Sequence, residues 1–329
     1  MRMSGIGGQA VLEGIMMKNG DDYALAVRVS EDEIRVEKDT YRSIAGDSGA
    51  RKVPFVRGVV TFIDSLILGI TTLLKSSTYL MDEEETAEAA PKDDGLSASD
   101  KAFLFGTLAI SLVIALALFV FLPLFVTNLF RHFTESPIVL AVVEGAVKIV
   151  IFLGYLLLIS RMKDIRRTFM YHGAEHKCIN CVETGRELTV ANVRESSRFH
   201  KRCGTSFLFY VVIISVIIGF FIQSGSMPLR LVLRIALMPV IAGISYEFIR
   251  LAGCSESRVV AAFAKPGLAM QKITTAEPED DMIEVAIAAV EKVFDWRAFL
   301  AEGDAAAGGR VHAASGAGGT EGSLTEERT

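Results

Sequence analysis

Residues 103–130, FLFGTLAISLVIALALFVFLPLFVTNLF, contain no charged side chain. A helix of that length crosses the roughly 30 Å hydrocarbon layer of a bilayer. Three further charge-poor stretches follow at about 138–160, 206–222 and 229–251. Buried core helices of a soluble protein do not generate four such stretches in one chain, so the sequence predicts a polytopic membrane protein of mainly α class with about four transmembrane helices. Composition agrees: 51% of the 329 residues are hydrophobic and 22% charged, with a mean hydropathy of +0.39. Pro123 is expected to bend the first span near its far end.

Loop charge predicts the orientation. The loop at 161–205 carries ten Lys/Arg (Arg161, Lys163, Arg166, Arg167, Lys177, Arg186, Arg194, Arg198, Lys201, Arg202) against five acids, whereas 131–137 has only Arg131. The positive-inside bias puts the long loop in the cytoplasm, and four spans then put both termini there, in a bacterial inner membrane. The same bias accounts for the basic excess without a nucleic-acid partner; membrane lipids are the expected surroundings. No cationic region followed by an apolar run opens the chain, so no cleavable signal peptide is expected. Cys178, Cys181, Cys203 and Cys254 all fall on the cytoplasmic side and are expected as reduced thiols.

Outside the spans the chain divides by composition. Residues 1–54 form an N-terminal cytoplasmic segment; its start, GIGGQAVLEGIMM, is neither a dinucleotide fingerprint nor a P-loop and reads as a close-packing backbone element. Alternation in 23–38, YALAVRVSEDEIRVEK, around a polar turn at Ser30–Glu33 predicts a β-hairpin. An apolar helix at 55–81, interrupted by Arg57, Asp64 and Lys75, is expected to lie along the membrane surface, and an acidic linker follows at 82–101. The two span pairs occupy 102–160 and 206–251 around the loop at 161–205. The C-terminal cytoplasmic segment, 252–300, includes an amphipathic helix at 278–294 with acids in its first turn, and the tail 301–329 is expected to be disordered.

Chemistry concentrates in the loop, at 171–177, YHGAEHK. On a helix, His172 and His176 share a face and can hold one metal, while Glu175 is placed to handle a proton as general base or acid; H-x-x-E-H is the order of the inverted zincins. Zinc with three protein ligands and one open position lowers the pKa of bound water to roughly 7. The third ligand is open among His200 and Cys203, in RFHKRCGTSF, and Glu247, in GISYEFIR, where a carboxylate at membrane depth is costly unless paired or coordinated. Cys178 and Cys181 form a C-x-x-C that can instead join His200 and Cys203 in a closed structural zinc site. Glu144 and Lys148, four apart in the second span, read either as an ion path or as a self-neutralising pair. Arg230 and Arg234 are expected to snorkel to the outer lipid surface.

GGQAVLEGIMM, YHGAEHK, HKRCGTSF, SYEFIR and PGLAMQKITTAEPEDDMIEVAI together resemble the DUF1385 family of bacterial membrane proteins, described as predicted metal-dependent enzymes. The resemblance extends over most of residues 5–295, with Lys201 where the family's HPRCG has proline. It implies a metal site drawn from His172, Glu175, His176, His200, Cys203 and Glu247. The function expected on these grounds is a zinc-dependent membrane enzyme, hydrolytic, acting at the cytoplasmic interface on a membrane-embedded peptide or lipid-linked substrate. The alternatives are a non-enzymatic scaffold or assembly factor with a structural metal site, and a transporter using Glu144 and Lys148.

Overall fold

The computed structural model describes residues 2–46, 48–85, 98–222, 226–255 and 257–303. Most of the acidic linker and of the C-terminal tail lies outside these residues. Four antiparallel strands, β1 (Gly7–Val11), β2 (Gly14–Asn19), β3 (Asp22–Arg28) and β4 (Ile34–Thr40), form a meander in the order β1-β2-β3-β4. The predicted hairpin is therefore its second half, and the glycine-rich start supplies the other two strands. Gly14 permits the β2–β3 approach, since a Cβ there would sit 2.3 Å from the Ala26 carbonyl oxygen.

The sheet is covered on both faces, and its period-2 alternation sorts the side chains between them. Ile15, Met17, Ala24 and Ala26 point into one core with Tyr171, Cys178, Ile179, Val182, Met282, Ile283, Ala286 and Val290. These last residues come from α5 (Lys163–Glu183) and α11 (Asp280–Val293). Val11, Met16, Tyr23, Leu25 and Val27 point to the other face, where Leu68 of α1 (Val56–Glu85) closes a second core. N-terminal segment, central loop and C-terminal helix thus form one three-layer domain, which requires all three on the same side of any membrane.

Four helices are long and apolar enough to cross a bilayer: Val56–Met81, Phe105–Phe130, Pro137–Ile159 and Gly204–Phe221. A bent pair, Pro228–Ala236 and Met238–Cys254, meets the same test jointly with a 41° break. The break falls at Leu237, and Pro239 in the first turn of the second helix, with its missing N–H and fixed φ, suits a new start. Phe105–Phe130 comprises most of α2 (Ala98–Leu116), a π-helical stretch at Ala117–Phe121 and α3 (Leu122–Phe130). The widened turn precedes Pro123, where the ring would otherwise collide with the carbonyl one turn back. The other spans are α4 (Pro137–Ile159), α7 (Gly204–Phe221) and the pair α8 (Met227–Ala236) and α9 (Met238–Cys254).

α1 satisfies the length and composition of a span; its first turns pack against α9, where a Cβ at Gly58 would stand 2.7 Å from Tyr246 Cβ, and its later turns run along the soluble sheet. Asp64 accepts hydrogen bonds from Ser43 Oγ (2.6 Å), Tyr41 OH (3.2 Å) and the Ile44 N–H (2.9 Å). Lys75 Nζ reaches Glu37 at 2.9 Å. On its other side Phe62, Ile63, Leu66, Ile67 and Leu73 are exposed. A helix with one face on α9 and the soluble domain and apolar side chains outward can lie on the bilayer, the sequence expectation, and α1 equally meets the length and composition of a span. α2–α3, α4, α7 and α8–α9 then connect the two sides with consistent parity. α10 (Arg258–Thr274) crosses the end of α7 nearest the soluble domain and leads into α11.

Candidate metal centre

α5 follows the second span after a turn at 160–162 and carries YHGAEHK into the base of the soluble domain. Two glycines let it settle there. A Cβ at Gly173 would stand 2.1 Å from the Ala276 carbonyl oxygen, and one at Gly8 of β1 would stand 3.0 Å from Glu175 Cγ and 2.7 Å from the Met16 carbonyl oxygen. This seats the following turns of α5 against the segment 194–200, which continues from α6 (Val190–Glu195): His176, Lys177 and Asn180 together bind five of its carbonyls. Lys177 Nζ donates to Arg194 O and Ser196 O (2.8 and 3.0 Å), and Asn180 Nδ2 donates to Ser197 O and Phe199 O (2.7 and 3.0 Å). The segment ends at Cys203, the N-cap of α7.

His172, His176 and Cys203 meet at this junction, with ligand-capable atoms all within 4.8 Å of one another. His172 Nε2 is 3.3 Å from Cys203 Sγ. A tetrahedral zinc ion with ordinary Zn–N and Zn–S bonds would hold such a pair about 3.5 Å apart. Each imidazole is oriented through its other nitrogen: His172 Nδ1 lies 2.9 Å from Thr274 O and His176 Nδ1 lies 2.7 Å from Arg198 O. With Nδ1 donating to a backbone carbonyl, Nε2 is the nitrogen left for a metal, which would displace any proton held there. The donor set, two imidazoles and one thiolate converging on a point, fits zinc with a fourth position left over.

Electrostatics favour the thiolate. Burial pushes the Cys203 thiol up, but His172 and His176 beside it bring it well below its ordinary range. Its place at the start of α7 adds the positive end of a helix dipole. Burial likewise lowers His172, yet the adjoining Cys203 outweighs this and lifts it to about 9. A shell of C-terminal residues supports the cluster. Thr205 Oγ1 lies 3.0 Å from both Cys203 Sγ and Thr274 Oγ1, and Gln271 accepts from the His200 N–H while donating to His200 O and Ser206 Oγ. Gln271, Thr274, Thr205 and Arg198 were not among the sequence candidates; the only pointer to the first two was their place in PGLAMQKITTAEPEDDMIEVAI.

The remaining candidates lie elsewhere. His200 neighbours His176, with ring centroids 5.7 Å apart, but its Nε2 faces Glu183 at 3.5 Å. Glu183 also receives Ser4 N–H and Oγ and pairs with Arg202; burial works against ionisation, but these partners bring its carboxyl down to about 2. Glu247, expected as a possible ligand, is taken instead by Arg57, whose Nε and Nη2 donate at 2.7 and 2.5 Å, and by the Phe55 N–H at 3.1 Å. The pairing that its depth demands comes from α1, not from a metal. Cys178 and Cys181 are buried on the core face of α5, so the alternative Cys-x-x-Cys zinc site is not assembled. Burial holds the Cys178 thiol well above its usual pKa.

Glu175 is 5% exposed, and among the described residues its carboxylate has no hydrogen bond or ion pair. It lies close enough for its charge to act on His172. Glu144 and Lys148 pair at 3.1 Å, as expected for neighbours one turn apart, but Arg234 joins them on Glu144.

A family model described as "Protein of unknown function (DUF1385)" matches residues 53–296. The chain is 34% identical over 286 residues to a Bacillus subtilis (strain 168) protein described as "Uncharacterized protein YqhQ", covering 85% of this chain and 89% of that one. No solved structure matches.

Proposed function

The chain belongs to the DUF1385 family, and from that footing we propose that it is a zinc-dependent integral membrane enzyme of hydrolytic type, with its site at the cytoplasmic face of the bilayer. His172, His176 and Cys203 are the ligands. When bound there, zinc would supply a Lewis acid able to polarise a carbonyl or phosphoryl group. Glu175 takes a proton from the attacking water and returns it to the leaving group as the scissile bond breaks. Thr274 and Arg198 hold the two imidazoles in their ligating tautomer, and Thr205 orients the thiolate.

The observation that carries the enzymatic reading over the scaffold is Glu175 itself. A buried carboxylate costs stability unless hydrogen-bonded or paired, and Glu183, Glu144 and Glu247 each have such partners here. Glu175, next to the ligand His176, has none among the described residues and keeps its carboxylate oxygens open to solvent, free to handle a proton. A purely structural site has no use for it. The position of Cys203, one residue before the span that begins at Gly204, favours a substrate delivered from the membrane, either an embedded peptide or a lipid-linked molecule.

Elemental analysis of the purified protein in detergent tests the site, and Glu175→Gln tests the chemistry. Near-stoichiometric zinc, absent from His172→Ala/His176→Ala, is expected, with Glu175→Gln keeping its zinc but failing to complement a deletion strain. Full complementation by Glu175→Gln would leave the scaffold reading in place of the enzyme.

A further inference from the structure

The far end of the membrane bundle holds a second polar centre. A cavity of about 400 Å³ opens between α3, the turn at 131–136, α4, the end of α7 and α8, and Arg131, Arg230 and Arg234 line it alongside Glu135 and Glu144. The expectation that Arg230 and Arg234 snorkel freely into the lipid surface is not met, since they are 7% and 8% exposed.

The charges in this cavity do not balance. Glu144 is already shared by Arg234 and Lys148. Glu135 is exposed, and among the described residues no ion pair joins it to either remaining arginine. Arg131 and Arg230 therefore keep uncompensated guanidinium charges, and the Nε atoms of both are buried without an acceptor among the described residues. A guanidinium nitrogen shut off from water without an acceptor is costly, more so beside hydrocarbon. Guanidinium forks match the oxygens of a phosphate group in geometry as well as in charge.

We propose that this cavity is a binding site for a phosphate-type oxyanion, held by Arg230 and Arg131, with Arg234 fixed in place by Glu144. Two sources share that chemistry, the head group of an anionic membrane lipid and free phosphate. The surroundings favour the lipid: Leu229, Val232 and Leu233 of α8 are exposed beside Arg230 and offer a path for acyl chains. The site lies at the opposite end of the spans from the zinc ligands and does not depend on them.

The test uses the full chain in neutral detergent, following thermal unfolding and, by native mass spectrometry, bound lipid. Phosphatidylglycerol, phosphatidylcholine and inorganic phosphate are titrated separately into the wild type, Arg131→Gln, Arg230→Gln, the charge-conserving Arg230→Lys, and the exposed control Arg297→Gln. Stabilisation by phosphatidylglycerol but not phosphatidylcholine, weakened at least tenfold in both Gln variants and unchanged in the control, is the expected result. Equal stabilisation by inorganic phosphate would assign the free ion as the source. Arg230→Lys keeps the charge but not the fork and is expected to fall between. Should the Gln variants not fold, Arg230→Lys and the wild-type titrations decide. No preference of the wild type for either phosphate ligand over phosphatidylcholine, or equal affinities in every folded variant, would overturn the proposal.

Discussion

Replacing Gly173 with alanine is expected to weaken metal binding without touching a ligand. The added Cβ would lie 2.1 Å from the backbone oxygen of Ala276, against an ordinary carbon–oxygen separation of about 3.3 Å. The helix and the segment linking α10 to α11 must therefore part by roughly 1 Å, and the oxygen cannot swing aside as a flexible side chain can. The segment is tied on both flanks: Ala276 N–H donates to Phe169 O at 2.9 Å, and Thr274 O lies 2.9 Å from His172 Nδ1. Stretching the second contact by that amount takes it to about 4 Å, outside hydrogen-bonding range. Overpacking of this kind costs about 1–3 kcal/mol, and loss of a ligand's supporting hydrogen bond lowers metal affinity roughly 10–100-fold. Competition for zinc against a chromophoric chelator, run beside thermal unfolding, reads both effects. Gly7→Ala, where a Cβ meets nothing within 4 Å, is the matched control. Lowered stability with unaltered zinc affinity would refute the role given to the Thr274 carbonyl, and a variant like wild type in both would refute the close approach itself.

Glu247→Gln should keep its zinc while lowering the melting temperature slightly as the Arg57 pairing weakens; loss of zinc with the fold intact would restore Glu247 as a ligand. Glu183 has its pKa depressed from 4.5 to about 2, so its contribution is fully present above about pH 4.5 and lost as pH falls towards 2. Glu183→Gln should accordingly flatten the acid limb of the stability profile in that window, and an unchanged limb would count against the Ser4–Arg202–His200 network. Cys178→Ala should leave zinc stoichiometry unaltered, as expected for a thiol buried in the core; a halved metal content would bring the Cys-x-x-Cys site back into consideration.

The membrane architecture was legible in the sequence because it follows from local sums. An apolar run long enough to cross hydrocarbon announces itself whatever surrounds it, and the predicted spans match Phe105–Phe130, Pro137–Ile159, Gly204–Phe221 and the bent pair ending at Cys254. The pairing of His172 with His176 is equally local, since helical periodicity alone puts residues four apart on one face. The sheet was half legible: alternation exposed β3 and β4, whereas in β1 and β2 Gly8 and Gly14, which serve close approach, masked the pattern.

The remainder depended on contacts between distant parts of the chain. His200, Cys203 and Glu247 were equivalent as third ligands until the fold joined Glu247 to Arg57, residues separated by 190 positions, and turned His200 towards Glu183. The shell of Thr274, Gln271 and Arg198 has the same origin, because a backbone carbonyl that orients an imidazole leaves no trace in residue identity. Arg230 and Arg234 read as lipid-surface residues along one helix and became cavity residues only when α4 and α7 closed over them. Periodicity and hydropathy are properties of a segment, and so the sequence determined which elements exist and which residues can ligate; the partner of each buried charge is a property of the packing, and only the tertiary structure decided it.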